Sequence, residues 1–426
     1  DEGSACIADC TLTSRRSSGV AVVGAARVTL VGSTLTGNGK PAVVLKDTSS
    51  GVVRTCSFTG NRHIAVLGRQ ESRLEVLEST LSRNRMAAVV LRDKALGVIK
   101  GNILESNEGC GIELCDEASP LIEANTFRGH TMPAIMVRGR SAAKLTDNLL
   151  EANLGIGIIV SGSSRPEVTG NRLRQNRKRS STAQVEQRRI DAQVKVLQAS
   201  KKAEAATATL DAVAASLSAP PAAAARAREL ASAAWVEAAA AADEVAAIAP
   251  GVGAASKGSK RAAIIVQDES APLVKSNTLE GNDGYGILVC NAARPTVEDN
   301  ELHNHSRPAI ALRDKTECML RGNRLHDNEG FGIIVCDEAN PTVEQNELCR
   351  HGKAAILVKD TASGVLRSNR LVENYSVGIC VSGDAHPIVE DNTCSGDRQL
   401  HIVFQDGAAG VLRRNRALAG AGGEPL

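Results

Sequence analysis

The sequence predicts an all-β fold: a right-handed parallel β-helix of about fifteen coils with one inserted α-helical hairpin. Three observations predict it. A polar residue, usually asparagine, recurs every 23 residues, and aliphatic columns hold fixed places around it. Within each repeat the apolar spacing is two. One Ala-rich stretch of 83 residues interrupts the repeat without shifting its phase.

The anchor column reads Cys10, Ser33, Cys56 and Ser79, then Asn102, Asn125, Asn148 and Asn171, then Asn277 to Asn415 in steps of 23. Three residues before each anchor stands an aliphatic side chain, from Ile7 to Leu412. Thirteen before it stands Val or Ile, from Val20 to Ile402, and fourteen before it Gly or Ala, except His401. Two after it stands Leu or Phe, except Cys394 and Ala417. Alternation with a period of two is a strand pattern. It gives three short strands per unit, as at 111–115, 120–124 and 126–129. Stacking each unit on the next pairs the strands in parallel at about 4.8 Å per coil, and such crossovers are right-handed.

The remaining columns read as ladder chemistry. Asn at the anchor donates to one neighbouring coil, accepts from the other and tolerates a left-handed turn. A second polar column lies five residues on and holds Asn, with His at His130, His305 and His351 and Asp at Asp397. Two before the anchor, Lys275, Glu298, Arg321, Glu344, Arg367, Glu390 and Arg413 alternate in sign, so every neighbour on the stack attracts.

The organisation is β-helix over 1–177, a hairpin over 178–260 and β-helix over 261–426. The insert is rich in Ala, Glu, Lys, Arg and Gln, all strong helix formers. Segments 182–217 and 222–249, divided by Pro220-Pro221, read as two helices paired like a short coiled coil.

Composition narrows the function. The chain has 426 residues and a net charge of +2, which offers no bulk attraction to nucleic acid or anionic lipid. Aromatics are 2%, too few for platforms on which bases or sugars stack. No apolar run is long enough to span a membrane, and the start of the chain lacks a signal-peptide pattern. The eleven cysteines lack paired metal spacing and read as free thiols in a reducing compartment.

Three candidate sites stand out. An Asp column nine before the anchor, including Asp47, Asp93, Asp116, Asp268, Asp314, Asp337, Asp360 and Asp406, has carboxylates that a calcium site would use. Its regular run along the chain reads instead as a turn position. Asp384 and His386 look like an acid–base pair but occupy ordinary turn positions. His303, His326 and Cys349 follow successive anchors by three, with His305 and His351 two residues further on. They are expected to face solvent about 4.8 Å apart, where they offer a weak candidate zinc or copper site without a fourth ligand.

The repeat pattern GxGIxVxDxAxPxVExNxIxxN resembles the right-handed β-helices of the pectate-lyase-like superfamily. GYGILVCNAARPTVEDNELHN and GFGIIVCDEANPTVEQNELCRH are most similar to the β-helix of F-box-only ubiquitin-ligase substrate receptors. That resemblance implies a non-catalytic protein-binding scaffold in the ubiquitin pathway: no enzyme, no cofactor, other proteins as partners, no nucleic acid, membrane or small-molecule ligand, and a cytoplasmic or nuclear location. It also implies that polyuronates are not turned over. The alternative within the same superfamily is a polysaccharide lyase or epimerase.

Overall fold

The structure, a computed structural model, describes residues 2–176, 261–397 and 401–418. These form a right-handed parallel β-solenoid built of two fifteen-stranded sheets and one fourteen-stranded sheet. The first sheet runs from Ser4–Ala8 to Val411–Arg413, the second from Thr11–Leu12 to Arg416–Leu418, and the third from Val20–Val22 to Ile402–Phe404. Every pairing is parallel and joins residues one repeat apart, as in Ile287↔Ile310, Ile310↔Ile333 and Ile333↔Ile356. All four of these isoleucines are fully buried. The three strands of one unit are Ile112–Leu114, Leu121–Glu123 and Thr126–Arg128.

The expected helical hairpin is not part of this fold. No helix of any kind occurs among the described residues, so no coiled coil does either. Residues 1–178 with 260–426 form one compact unit, and 179–259 a second. The expectation for 178–260 lies outside the described residues. On either side of that segment the register closes directly. Ile158–Val160 pairs with Ile264–Val266, and Asn171 reaches Asn277 through two hydrogen bonds of 2.9 and 3.0 Å.

Each coil turns at three places, and outside the first coil each described turn holds one residue in the left-handed conformation. In the third-sheet turn this is the Asp column, with φ of 62° at Asp47 and 59° at Asp116. Asp and Gly tolerate that conformation better than most residues. The carboxylate also accepts from the turn amide one coil earlier, as in Gly24 N to Asp47 (2.8 Å) and Asn291 N to Asp314 (2.8 Å). At the other two turns the left-handed residue is not the asparagine but the one before it, for example Ala124 before Asn125 and Asp327 before Asn328. That residue swings the chain so that the asparagine points inward, and both Asn125 and Asn328 are buried.

Inside, the asparagines form two stacked amide ladders. Asn300 donates through Nδ2 to Asn323 Oδ1 (2.9 Å) and to the Val274 carbonyl (2.9 Å), while its own oxygen accepts from Asn277. Such pairing meets the requirement that buried polar groups be hydrogen-bonded. His130, His305 and His351 replace Asn in the second ladder and are completely buried. Each sits against a glycine at the leading end of a third-sheet strand. A Cβ on Gly111, Gly286 or Gly332 would come within 3.0, 2.9 or 2.7 Å of the corresponding Nε2. The larger ring is accommodated by deleting one methyl.

A candidate acid–base surface on the second sheet

Residues one and three places after each anchor point outward from the second sheet. In the early coils they are small hydroxyls, Thr34, Thr36, Ser57 and Thr59. In later coils they become charged and paired. Arg172 meets Glu280 at 3.1 Å, and Glu347 lies between Arg324 (3.8 Å) and Arg370. Parallel stacking sets these groups about 4.8 Å apart, close to the length of one pyranose residue.

His303 and His326 occupy this face on adjacent strands. Their rings stack with centroids 4.8 Å apart and planes 5° from parallel. Nδ1 of His326 lies 2.8 Å from an Asp327 carboxylate oxygen, and its Nε2 lies 3.3 Å from Glu301. Asp327 is itself clamped by Arg350 through a bidentate pair at 2.7 and 2.8 Å. The Arg350 hydrogen bonds, followed by that of His326, hold the Asp327 carboxyl well below the ordinary carboxylate range. Nδ1 of His303 is 3.1 Å from the Asn304 side-chain amide. The result is a relay of Arg350, Asp327, His326 and Glu301 with a second imidazole stacked on it.

The expected trio is therefore brought together only in part. His303 and His326 meet, and Cys349 stands opposite His326 on the next strand of the sheet. But Cys349 is buried, not solvent-facing, and burial pushes its thiol pKa up. Both nitrogens of His326 are directed at carboxylates. His305 and His351 point into the core, so they belong to the ladder and not to this face. Asp384 and His386 meet only through the Asp384 backbone carbonyl (3.3 Å). Glu301, Asp327 and Arg350 are the residues that the sequence analysis passed over. For Glu301 the signal was available: Glu301, Arg324, Glu347 and Arg370 alternate in sign at successive repeats, like the column two before the anchor.

A right-handed beta helix region model matches residues 1–127, 64–198 and 256–394. The chain belongs to the right-handed β-helix family. No curated protein matches it. Similar solved structures include the periplasmic alginate epimerase AlgG, at 12% identity over 96% of this chain and 78% of that one, with a TM-score of 0.48. The A-module of Azotobacter vinelandii mannuronan C-5 epimerase AlgE6 is 9% identical over 100% and 92%, with a TM-score of 0.34. An alginate lyase from Paenibacillus is 9% identical over 96% and 99%, with a TM-score of 0.27. At these identities the likeness concerns the fold alone.

The expected kinship with F-box-only receptors is corrected. The match is to the right-handed β-helix family as such. The non-catalytic ubiquitin-pathway scaffold falls with it, as do the exclusion of enzyme activity and a partner list limited to proteins without small-molecule ligands. The described residues also hold two clusters of side chains able to ligate a metal. The cytoplasmic or nuclear location, drawn from that kinship, is likewise withdrawn.

Proposed function

We propose that the protein acts on an anionic polysaccharide of the polyuronate class, removing the proton from the carbon that bears a sugar carboxylate. The observation that carries this reading is His326, oriented by a carboxylate that Arg350 locks, with His303 stacked against it. An imidazole whose Nδ1 is held by a carboxylate is a positioned general base at Nε2 once substrate displaces the Glu301 carboxylate, which lies 3.3 Å from that nitrogen. With aromatics at 2% of the chain, stacking platforms for neutral sugars are scarce, so recognition rests on charge. Arg324, two residues from His326 on the same strand, is the partner for the sugar carboxylate and stabilises the charge that builds on it. His326 takes the proton, the electron pair forms the new carbon–carbon double bond, and the glycosidic carbon–oxygen bond breaks. His303 gives a proton to the departing oxygen. Both imidazoles approach from one side of the sugar, which favours elimination over epimerisation, since inversion needs a donor on the opposite face.

The test incubates the full chain with polymannuronate, polyguluronate and polygalacturonate, with and without calcium. Elimination is read from unsaturated-uronate absorbance, and epimerisation from deuterium uptake in heavy water. Elimination by the wild type, reduced on the order of 100-fold in His326→Ala, is the expected result. Asp327→Asn should lower kcat more than it raises KM, and Arg324→Ala the reverse. A wild-type chain giving neither product on any of the three polymers overturns the reading.

A further inference from the structure

Three columns of the repeat break at one place. Where most coils carry Leu or Phe, Asn or His, and Gly or Ala, this coil carries Cys394, Asp397 and His401. The three substitutions converge. One ligand atom from each lies within 4.8 Å of the other two. His401 Nδ1 is 3.5 Å from Asp397 Oδ2. The other oxygen of Asp397 continues the ladder by accepting from the Asn374 amide and backbone N–H, both at 3.0 Å. One carboxylate oxygen is thus fixed, and the second is turned toward the cysteine and histidine. The Asp397 side chain is fully buried, while that of His401 is 32% exposed. Gly378 closes the pocket: a Cβ there would stand 2.9 Å from Asp397 Oδ2 and 3.1 Å from Cys394 Sγ.

Neither packing nor the ladder calls for this set. The ladder is served by Asn and the core by Leu in neighbouring coils, at Asn374 and Leu371. Among the described residues, the buried carboxylate has only the partly exposed His401 imidazole, at 3.5 Å, as a cationic partner, and its second oxygen faces a thiol as well, a donor set open to a metal ion. Thiolate, imidazole and carboxylate together suit zinc, whose ligand atoms stand ~3.3–3.8 Å apart around a tetrahedral ion. A small contraction of the observed triangle meets that requirement.

We propose that Cys394, Asp397 and His401 form a zinc-binding site with one position left for an exchangeable ligand. The second cluster, Cys336 with Asp337 and Asp360, is different in kind. Both of its carboxylates already accept from turn amides, Asp337 from Asp314 N and Asp360 from Asp337 N. It is the turn column at work.

The experiment compares the full chain with a variant carrying Cys394→Leu, Asp397→Asn and His401→Ala. Each change installs the residue that most coils use at that position, so the β-type circular dichroism should persist. Equilibrium dialysis against zinc should give one more ion per wild-type chain than per variant chain. With cobalt as probe, the wild type should show thiolate-to-metal charge transfer that Cys394→Ser, close in size, abolishes. The Cys336 cluster is intact in every variant and cancels in the difference. Equal zinc binding by wild type and variant, or a charge-transfer band that survives Cys394→Ser, overturns the proposal.

Discussion

Glu344 holds Arg321 from the preceding coil and Arg367 from the following one, at 3.6 and 2.5 Å, on a single carboxylate. The sign alternation of this column suggests a run of exposed ion pairs. At Glu344 the residue is instead buried, with 8% of its surface exposed. Removing one partner of a buried ion pair costs more than removing one of an exposed pair, because it leaves uncompensated charge out of water.

Glu344→Lys should therefore destabilise the protein by about 2–4 kcal/mol, since it leaves three cations stacked and one of them buried. Glu344→Gln should cost roughly 1–2 kcal/mol. Thermal unfolding at low and high salt checks this. The loss for Glu344→Lys should shrink with salt, and an unmoved Tm would count against the shared carboxylate.

The buried histidines set an acid limit. Burial pushes the pKa of His130 down to about 4, and those of His305 and His351 down to about 3. Unfolded, each ring titrates near 6.5. Between those values the unfolded chain binds more protons, so stability rises with pH. The contribution is complete above pH ~6.5 and is lost as pH falls toward the folded values, at up to ~1.4 kcal/mol per pH unit for each ring. Tm measured from pH 7 to pH 4 should fall, and His351→Asn, which restores the column residue, should flatten the slope by about a third. A slope that does not change would mean that His351 is already charged in the fold.

Gly332 and His351 should be coupled. Gly332→Ala places a methyl against His351 Nε2 and Leu348 Cδ2, both at 2.7 Å, and should cost about 1–3 kcal/mol. Adding His351→Asn should recover part of that loss, because the smaller side chain retreats while the 2.6 Å approach to the Ala355 carbonyl remains. A double-mutant cycle in thermal unfolding reads the coupling, and strict additivity would refute it.

Excision of residues 178–260 should leave the solenoid folded. The pairings Ile158–Val160 with Ile264–Val266 and Arg172–Arg174 with Thr278–Glu280 already match across the segment. The separation of 106 residues between Asn171 and Asn277, less 83, is one repeat of 23. Strand-type circular dichroism and Tm should change little. Loss of the strand signal would show that the segment is needed for assembly.

The solenoid could be read from the sequence because its signal repeats: one ambiguous valine decides nothing, but a column from Val20 to Ile402 decides a face. Turn geometry was read less well. Asparagine's tolerance of the left-handed region pointed to Asn125, whereas Ala124 adopts it, because the amide is worth more inside the ladder than at the bend. The site was harder still. His303 and His326 were visible as a pair, but what makes them chemical is Asp327 and Arg350, which look like ordinary turn residues until stacking aligns them. The Gly–His pairing was visible at a separation of 19 residues, at Gly111 and His130, Gly286 and His305, and Gly332 and His351. It needs a size argument across columns, not a pattern within one.

The anchor ladder from Asn102 to Asn415 runs one way. Each side-chain oxygen turns toward the coil before and accepts there, and each amide N–H reaches the oxygen of the coil after, as from Asn346 to Asn369 and from Asn369 to Asn392. Dipoles aligned head to tail polarise one another and add. The interior is thus a wire with a sense of direction, its electron-rich end toward low residue numbers and its electron-poor end toward high ones. An α-helix derives such polarity from its backbone; here side chains supply it.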